Sequence, residues 1–146
     1  MKIALNSKLI LVIQFCCILI LLFNDATIFD NALALFFSVL GAAVGLWALI
    51  HNDFYNFNIT RNQKEHGQLI KDGPYKYSRH PMHLALLLIM LGVTISVHEM
   101  FDYFIYILLF VVLYYKALKE EHQWNLRSSE YKEYQEKTKM FVPFVF

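Results

Sequence analysis

The chain alternates long apolar runs with short polar connections. Four runs stand out: Leu9–Phe23, Ala32–Ile50, Met82–Val97 and Phe101–Ala117. A helix needs about 20 apolar residues, in a usual range of roughly 17–25, to cross a bilayer. The second run meets this alone. The others reach it with flanking residues, which sets the expected spans at residues 7–23, 31–50, 82–97 and 101–118. Neither an internal repeat nor a low-complexity segment interrupts the pattern, and Pro and Gly are too sparse to mark a linker. One domain over residues 1–146 is therefore expected. Composition points the same way, because 58% of residues are hydrophobic and only 17% charged, where a soluble domain is nearer half and a quarter. The expected fold class is an all-α integral membrane protein of about four transmembrane helices, with an interfacial amphipathic helix at the C-terminal end.

The charges orient these spans. Lys2 and Lys8 precede the first run, and Arg61, Lys64, Lys71, Lys76 and Arg79 separate the second from the third. Lys116, Lys119, Arg127, Lys132, Lys137 and Lys139 end or follow the fourth, which accounts for all 13 Lys and Arg. The connections Asn24–Asn31 and His98–Asp102 carry only Asp25, Asp30, Glu99 and Asp102. With four spans every basic segment falls on one face, which the positive-inside rule makes cytoplasmic. Both termini then lie inside, and a bacterial inner membrane is the expected location. Net charge near +1 gives no sign of nucleic-acid binding.

Two features of the N-terminal half have competing readings. Lys2 and Lys8, an apolar stretch and Ala32-Leu33-Ala34 resemble a secretory signal, yet cleavage there would cut the second run. Phe15 before Cys16 is too bulky for a lipoprotein signal, and adjacent Cys16 and Cys17 cannot adopt ordinary disulfide geometry. Asn58-Ile59-Thr60 fits a glycosylation acceptor formally, but its expected cytoplasmic position opposes use. The surrounding stretch 52–60, polar and aromatic, is a candidate border for a site at the cytoplasmic face.

The topology has a chemical consequence. The third run climbs from the cytoplasmic face and the fourth returns, each about 24 Å long at 1.5 Å per residue. Glu120 and Glu121 therefore come back to the depth of Arg79 and His80. Ionisable groups at the feet of a membrane hairpin are functional candidates. Pro81 at the first turn of the third helix costs no helical hydrogen bond and turns His80 out of the helix. Trp124, Arg127, Tyr131 and Tyr134 follow at i, i+3, i+7 and i+10, one stripe of a helix expected to lie on the membrane surface.

"LIKDGPYKYSRHPMHLALLLIMLG", then "KEEHQWNL" after one apolar span and "SEYKEYQEKTKMFVP" beyond it, resemble the membrane methyltransferases. These include isoprenylcysteine carboxyl methyltransferase and the phospholipid N-methyltransferases. The shared pattern is Arg-His-Pro-x-Tyr-x-Gly, a hydrophobic span and Glu-Glu. Arg79, His80, Pro81, Glu120 and Glu121 match it, and Gly73, Pro74 and Tyr75 match its lead-in. The resemblance covers about residues 67–143. Two positions depart: His83 stands where Tyr is usual, and Ala85 where Gly is usual. Loss of that glycine is expected to narrow the approach of a ligand, and His83 brings a pH-sensitive ring.

The resemblance implies S-adenosylmethionine as methyl donor at cytoplasmic residues 60–83 and 116–143, with a lipophilic acceptor entering from the bilayer. Tyr75, Arg79, His80, Pro81, His83, Glu120 and Glu121 are the cofactor-binding candidates. The carboxylates suit the cationic donor, Arg79 or His80 its carboxylate, and Tyr75 and Tyr77 its adenine. Arg127 and Tyr131 are the catalytic candidates, Arg127 orienting a substrate carboxylate, and Trp124, Arg127 and Tyr134 are expected to contact substrate. The acceptor stays open between an isoprenylcysteine carboxylate, a phospholipid amine and a small lipophilic molecule. Membrane lipids are the other expected partners.

Ordinary readings stand beside these. Lys76, Tyr77 and Arg79 suit snorkelling interface residues, the Trp124–Tyr134 stripe an aromatic belt, and Glu120–Glu121 a solvated helix end. His80, His83, Glu120, Glu121 and His122 suggest a metal, but the remaining histidines are too scattered for a membrane di-iron centre, and no metal is expected. A sterol-reductase-like enzyme using NADPH and a non-catalytic four-span partner protein are the competing functions.

Overall fold

A computed structural model describes residues 6–24, 27–52 and 69–143. Five α-helices follow in order: α1 (Ser7–Leu22), α2 (Ala32–His51), α3 (Pro81–Val97), α4 (Met100–Arg127) and α5 (Glu130–Lys137). Short 3-10 turns occupy Ile28–Asp30 and Gly73–Lys76, and no strand element occurs among the described residues. Four of the helices fall within a residue or so of the expected spans, apart from the far end of α4. Residues 53–68 lie outside the described residues, and with them the glycosylation motif at Asn58 and nearly all of the 52–60 stretch.

Two helices, α2 and α4, are long and apolar enough to cross a membrane; α1 and α3 are shorter apolar helices of 16 and 17 residues. α1 faces α4, α4 faces α3, and α2 lies along α3. The apolar core fills the space between α1, α3 and α4 with Cys17, Leu21, Leu87, Met90, Val93, Leu109 and Leu113. Leu9, Phe15, Phe36, Trp47, Phe104 and Ile107 point outward and are exposed, the reverse of a water-soluble bundle.

The contact between α2 and α3 is made by small residues. A Cβ on Gly92 would sit 2.2 Å from Ser38 Oγ, and one on Gly41 2.7 Å from the Ala85 carbonyl. Such close approach lets backbones pack where no water-driven force joins helices in lipid. Ala85 belongs to this seam: it is buried, and its Cβ is the atom nearest to a side chain added at Gly45. The expected narrowing of ligand approach by Ala85 is thereby corrected. Its methyl group meets α2, where a glycine accommodates it.

At the end away from the basic segments, polar side chains tie the helix ends together. The Asn24 side-chain amide donates to the buried Asp102 carboxylate at 2.6 Å. The Asn31 side chain caps α2 by accepting from the Leu33 and Ala34 amides, and it also meets His98 at 3.3 Å. His98 closes α3 in the left-handed conformation at φ 60°, so that two residues suffice to turn the chain into α4.

α4 continues well past residue 118. Lys119-Glu120-Glu121-His122-Gln123 holds mostly strong helix formers and no Gly or Pro, so nothing stops the helix there. Its 28 residues would extend for about 42 Å, more than a bilayer core. It ends at Arg127 because Ser128 turns extended, and α5 starts afresh at Glu130. The expected single stripe from Trp124 to Tyr134 is therefore broken: Trp124 and Arg127 sit on α4, Tyr131 and Tyr134 on α5.

Candidate active site

The loop before α3 is shaped by two prolines and a glycine. Gly73 has φ +58°, and a Cβ there would lie 2.4 Å from the His51 ring, so both conformation and space demand glycine. Pro74 is the second residue of the 3-10 turn and Pro81 the first of the helix, leaving His80 as N-cap with φ −128° and ψ 59°. The loop is then pinned by the chain beyond α5. The Arg79 amide donates to the Lys139 carbonyl at 2.8 Å, and the His80 amide to the Met140 carbonyl at 3.1 Å. Ser78 Oγ donates to that same Met140 carbonyl.

Arg79 lies at the junction of three segments. Its Nε donates to Glu121 Oε1 at 2.7 Å, and its Nη1 donates to the carbonyls of Gln135, at 3.1 Å, and Thr138. Three of its five N–H groups are thus engaged within the protein, two of them capping the end of α5. Glu121 is occupied in the same way. Its Oε1 also meets His80 Nε2 at 3.2 Å, and its Oε2 accepts from Gln135 Nε2 at 2.7 Å. Burial alone would push the Glu121 carboxyl up, but hydrogen bonds and charge from His80 and Arg79 outweigh it and hold the group below its ordinary value.

Glu120 is placed differently. Its side chain is 28% exposed, and Oε2 lies 3.6 Å from His80 Nδ1. His80 therefore has a carboxylate at each ring nitrogen, one sealed in and one reachable. The ring of His83 stacks on His80 at 5.3 Å, and both pack against Phe141 at 6.3 and 6.1 Å. His83 Nδ1 is buried without a hydrogen-bond partner among the described residues, an orphan that asks for a ligand atom. Tyr75 joins this side, because burial and then the Glu120 charge push its phenol up to about 12.

The remaining candidates separate from this cluster. Tyr131 is buried and stacks on Trp124 at 5.8 Å; buried Tyr134 donates its hydroxyl to the Tyr75 carbonyl at 2.5 Å. Burial raises both phenols above their ordinary range. Both contacts dock α5, one against the end of α4 and the other against the loop before α3. Trp124 is half-buried, Arg127 is exposed at the end of α4, and Tyr77 lies beside Trp47 of α2. Gln135, Thr138 and Phe141 are the functional supports that sequence reasoning missed. Their signal lies in the tail "SEYKEYQEKTKMFVP", where the tyrosines are the more conspicuous residues.

His80, His83 and Glu120 offer one metal-ligand atom each within 4.8 Å of one another. A metal lies in the plane of each imidazole that binds it, and two rings stacked at 18° share no such point until one turns. As arranged, the cluster suits an organic ligand better: flat aromatic walls, an unpaired ring nitrogen and a reachable carboxylate.

A family model described as phospholipid methyltransferase matches residues 29–128. The chain belongs to that family. No curated protein and no solved structure matches it. The matched segment of this phospholipid methyltransferase relative holds α2, α3 and α4 and with them Arg79, His80, Glu120 and Glu121, and it stops before α5. Family and apolar helices together make the protein a membrane methyltransferase.

Proposed function

We propose that the protein moves a methyl group from S-adenosylmethionine to the amine of a membrane lipid at the cytoplasmic face. In this reading α1 to α4 all span, which puts both ends of the chain and the foot of the α3–α4 hairpin on the basic side. One observation carries the cofactor assignment: the unpartnered His83 Nδ1 lies among His80, Phe141 and the reachable Glu120. Bound S-adenosylmethionine supplies an electrophilic methyl carbon on a sulfonium.

Tyr75, His80, His83 and Glu120 are the groups that hold the cofactor. The Glu120 carboxylate favours a cation beside it, and His83 Nδ1 takes a polar atom of the amino acid or nucleoside. Arg79, Pro81 and Glu121 act one step back, by fixing the loop that presents His80. Trp124 and Arg127 form the rim towards substrate, and Tyr131 and Tyr134 hold α5 beneath it.

An amine acceptor suits this environment better than a carboxylate. Glu121 is already paired with Arg79, but the reachable Glu120 carboxylate stands beside His80, so an anionic nucleophile would be repelled while an ammonium is drawn in. The ammonium must shed a proton before its lone pair is available. Glu120, with His80 Nδ1 at 3.6 Å, can take that proton and pass it to water. The aromatic walls and the tail around Phe141 exclude water from the methyl carbon and align the nucleophile.

Purified protein with labelled methyl donor and a total lipid extract tests the reading. A labelled amine lipid is expected, lost in His80→Ala and Glu120→Ala. Calorimetric binding of NADPH in place of S-adenosylmethionine assigns a reductase instead, and a phenotype indifferent to both substitutions assigns a non-catalytic partner.

A further inference from the structure

The hydrogen bonds around Glu121 can run in one direction only. An ionised carboxylate accepts and cannot donate, so every group facing it must present a hydrogen. Arg79 Nε does so at 2.7 Å, and its permanent charge keeps Glu121 ionised. Gln135 must therefore turn its amide nitrogen to Glu121 Oε2, at 2.7 Å, and its amide oxygen away. That oxygen accepts from Asn125 Nδ2 at 3.1 Å, which fixes the sense of the Asn125 amide as well. A relay of set direction thus runs from Asn125 through Gln135 to Glu121. On its far side His80 Nε2 stands 3.2 Å from Glu121 Oε1.

This relay decides which nitrogen of His80 carries the hydrogen. A neutral imidazole has one N–H and one lone pair. Against an acceptor-only Glu121, Nε2 must hold the hydrogen, which leaves the lone pair on Nδ1. Nδ1 lies 3.6 Å from Glu120 Oε2, on the reachable side of the ring. Two acceptors facing each other favour a donor between them, and an ammonium is such a donor. Once Nδ1 takes a proton, each N–H of the ring meets a carboxylate, Glu121 on one side and Glu120 on the other.

Gln135 reaches this arrangement from beyond the segment that the family model matches. That segment ends at residue 128, whereas Gln135 lies on α5. Its backbone carbonyl accepts from Arg79 Nη1 at 3.1 Å, so one residue touches both partners of the buried pair. Without its side chain, one end of the Glu121 carboxylate loses the donor that fixes its rotation. The titratable and charged groups set against His80 are Glu120 and Glu121 from α4, Arg79 beside it in the loop, and His83 from α3. The tail sends the uncharged Phe141, and α5 acts through Gln135 alone.

We propose that Gln135 is a positioning residue for methyl transfer: it holds Glu121 so that His80 presents an unprotonated Nδ1 to the lipid amine. The proposal deepens the amine-lipid reading and rests on it for the reaction. In the step it serves, an N–H bond of the ammonium breaks and the proton bonds to His80 Nδ1. The electron pair left on the amine nitrogen bonds the methyl carbon as the carbon–sulfur bond breaks and its electrons leave on sulfur. Glu120 then relays the proton from His80 to water.

Nitrogen NMR of detergent-solubilised protein labelled at histidine reads the tautomer directly and needs no methyl transfer. The His80 signals are identified by their loss in His80→Gln. With His80 neutral, the parent protein shows the Nε2–H form alone, and Gln135→Leu shows both forms. Lipid methylation by Gln135→Leu falls about tenfold in kcat, part of the roughly 10²–10⁴ that a positioned general base supplies, while cofactor affinity changes less than about twofold. The Nδ1–H form in the parent, an unchanged tautomer in Gln135→Leu, or a parental kcat in that variant each overturns the proposal. A loss carried by cofactor affinity instead of kcat makes Gln135 a cofactor support and overturns it too.

Two further variants separate positioning from simple docking of α5. Gln135→Glu keeps the shape, but its new carboxyl donates to Glu121 only while it holds a hydrogen. Its deficit in kcat relative to the parent grows as pH rises and closes as pH falls; a deficit indifferent to pH overturns the proposal. Tyr134→Phe removes a bond that docks α5 without touching Glu121, and it keeps the Nε2–H form. A mixed tautomer in Tyr134→Phe reduces Gln135 to a docking contact and overturns the assignment. A parent protein that methylates no lipid amine defeats the earlier reading, and the tautomer still decides whether Gln135 sets His80.

Discussion

Arg79 and Glu121, 42 positions apart in the chain, share a 2.7 Å hydrogen bond with only 11% and 7% of their side chains exposed. The pair joins the loop before α3 to the water-side end of α4, and Gln135 brings in α5. Removing one partner leaves the other charge buried and unpaired. Glu121→Ala and Arg79→Ala are each expected to cost about 3–5 kcal/mol. Arg79→Lys recovers little, because an ammonium cannot reproduce the fork that reaches Glu121 and the α5 carbonyls together. Thermal unfolding in detergent measures both, and near-parental stability in either alanine variant contradicts the structural role.

Acid should expose the same carboxylate. Glu121 is held below its ordinary value of 4.5 in the folded protein, against the upward push of burial. A carboxyl lowered by folding contributes stability that is fully present above 4.5 and is lost as pH falls through the folded value. Unfolding scans below pH 4.5 are expected to show a decline that Glu121→Gln flattens, by up to about 1.4 kcal/mol per pH unit. Equal slopes in the two proteins remove Glu121 from the acid transition.

Tyr75 shares the alkaline limb with the buried phenols of Tyr131 and Tyr134, and of the three Glu120 acts chiefly on Tyr75. Its phenol is pushed from 10.0 up to about 12, so folding stability tied to it is intact below pH 10.0 and lost as pH rises towards 12. Glu120→Gln removes the charge behind part of that push and is expected to bring one late-ionising tyrosine to lower pH in ultraviolet titration. Tyr75→Phe in the same background deletes that wave. A titration indifferent to Glu120 separates Tyr75 from the site.

The sequence disclosed the large features because they are set by local pattern. Runs of apolar residues mark α1 to α4, Pro81 marks the start of α3, and equal legs bring Glu120 and Glu121 back to His80. What it did not disclose depends on contacts with distant partners. Glu120 and Glu121 are adjacent and chemically alike, yet one is reachable and the other is sealed by Arg79, His80 and Gln135. No periodicity separates them, since a rotation of 100° about α4 makes the difference. The break at Ser128 was legible as two serines, residues that favour caps over helix interiors. A lone Gln14 in an otherwise apolar run was the available sign that α1 meets Lys116 of α4, whose Nζ donates to Gln14 Oε1 at 3.2 Å.

Ala85 gives a test of the small-residue seam. Because its methyl group faces Gly45 of α2, restoring the glycine usual in related motifs should leave S-adenosylmethionine affinity unchanged and lower stability by about 0.5–1 kcal/mol. Gly92→Ala is the harsher change, for the added carbon meets Ser38 Oγ and the Ala34 carbonyl and must push α2 away. A loss of about 1–3 kcal/mol is expected. Calorimetric titration beside thermal unfolding checks both, and a marked gain in affinity for Ala85→Gly returns that residue to the ligand side.

Phe141 tests whether the tail is part of the site. It is 1% exposed, its ring lies between those of His80, His83, Phe110 and Tyr114, and the adjoining Lys139 and Met140 carbonyls hold the Arg79 and His80 amides. Truncation to alanine opens a cavity and should cost about 3–5 kcal/mol, whereas Phe141→Leu keeps much of the volume and should cost less. The effect should also reach the ligand, because a loosened tail frees both the loop amide of His80 and the wall behind its ring. Cofactor affinity is therefore expected to fall in Phe141→Leu, a variant stable enough to be titrated well below its unfolding temperature. Parental affinity in that variant would make the tail a stabilising strap with no part in shaping the pocket.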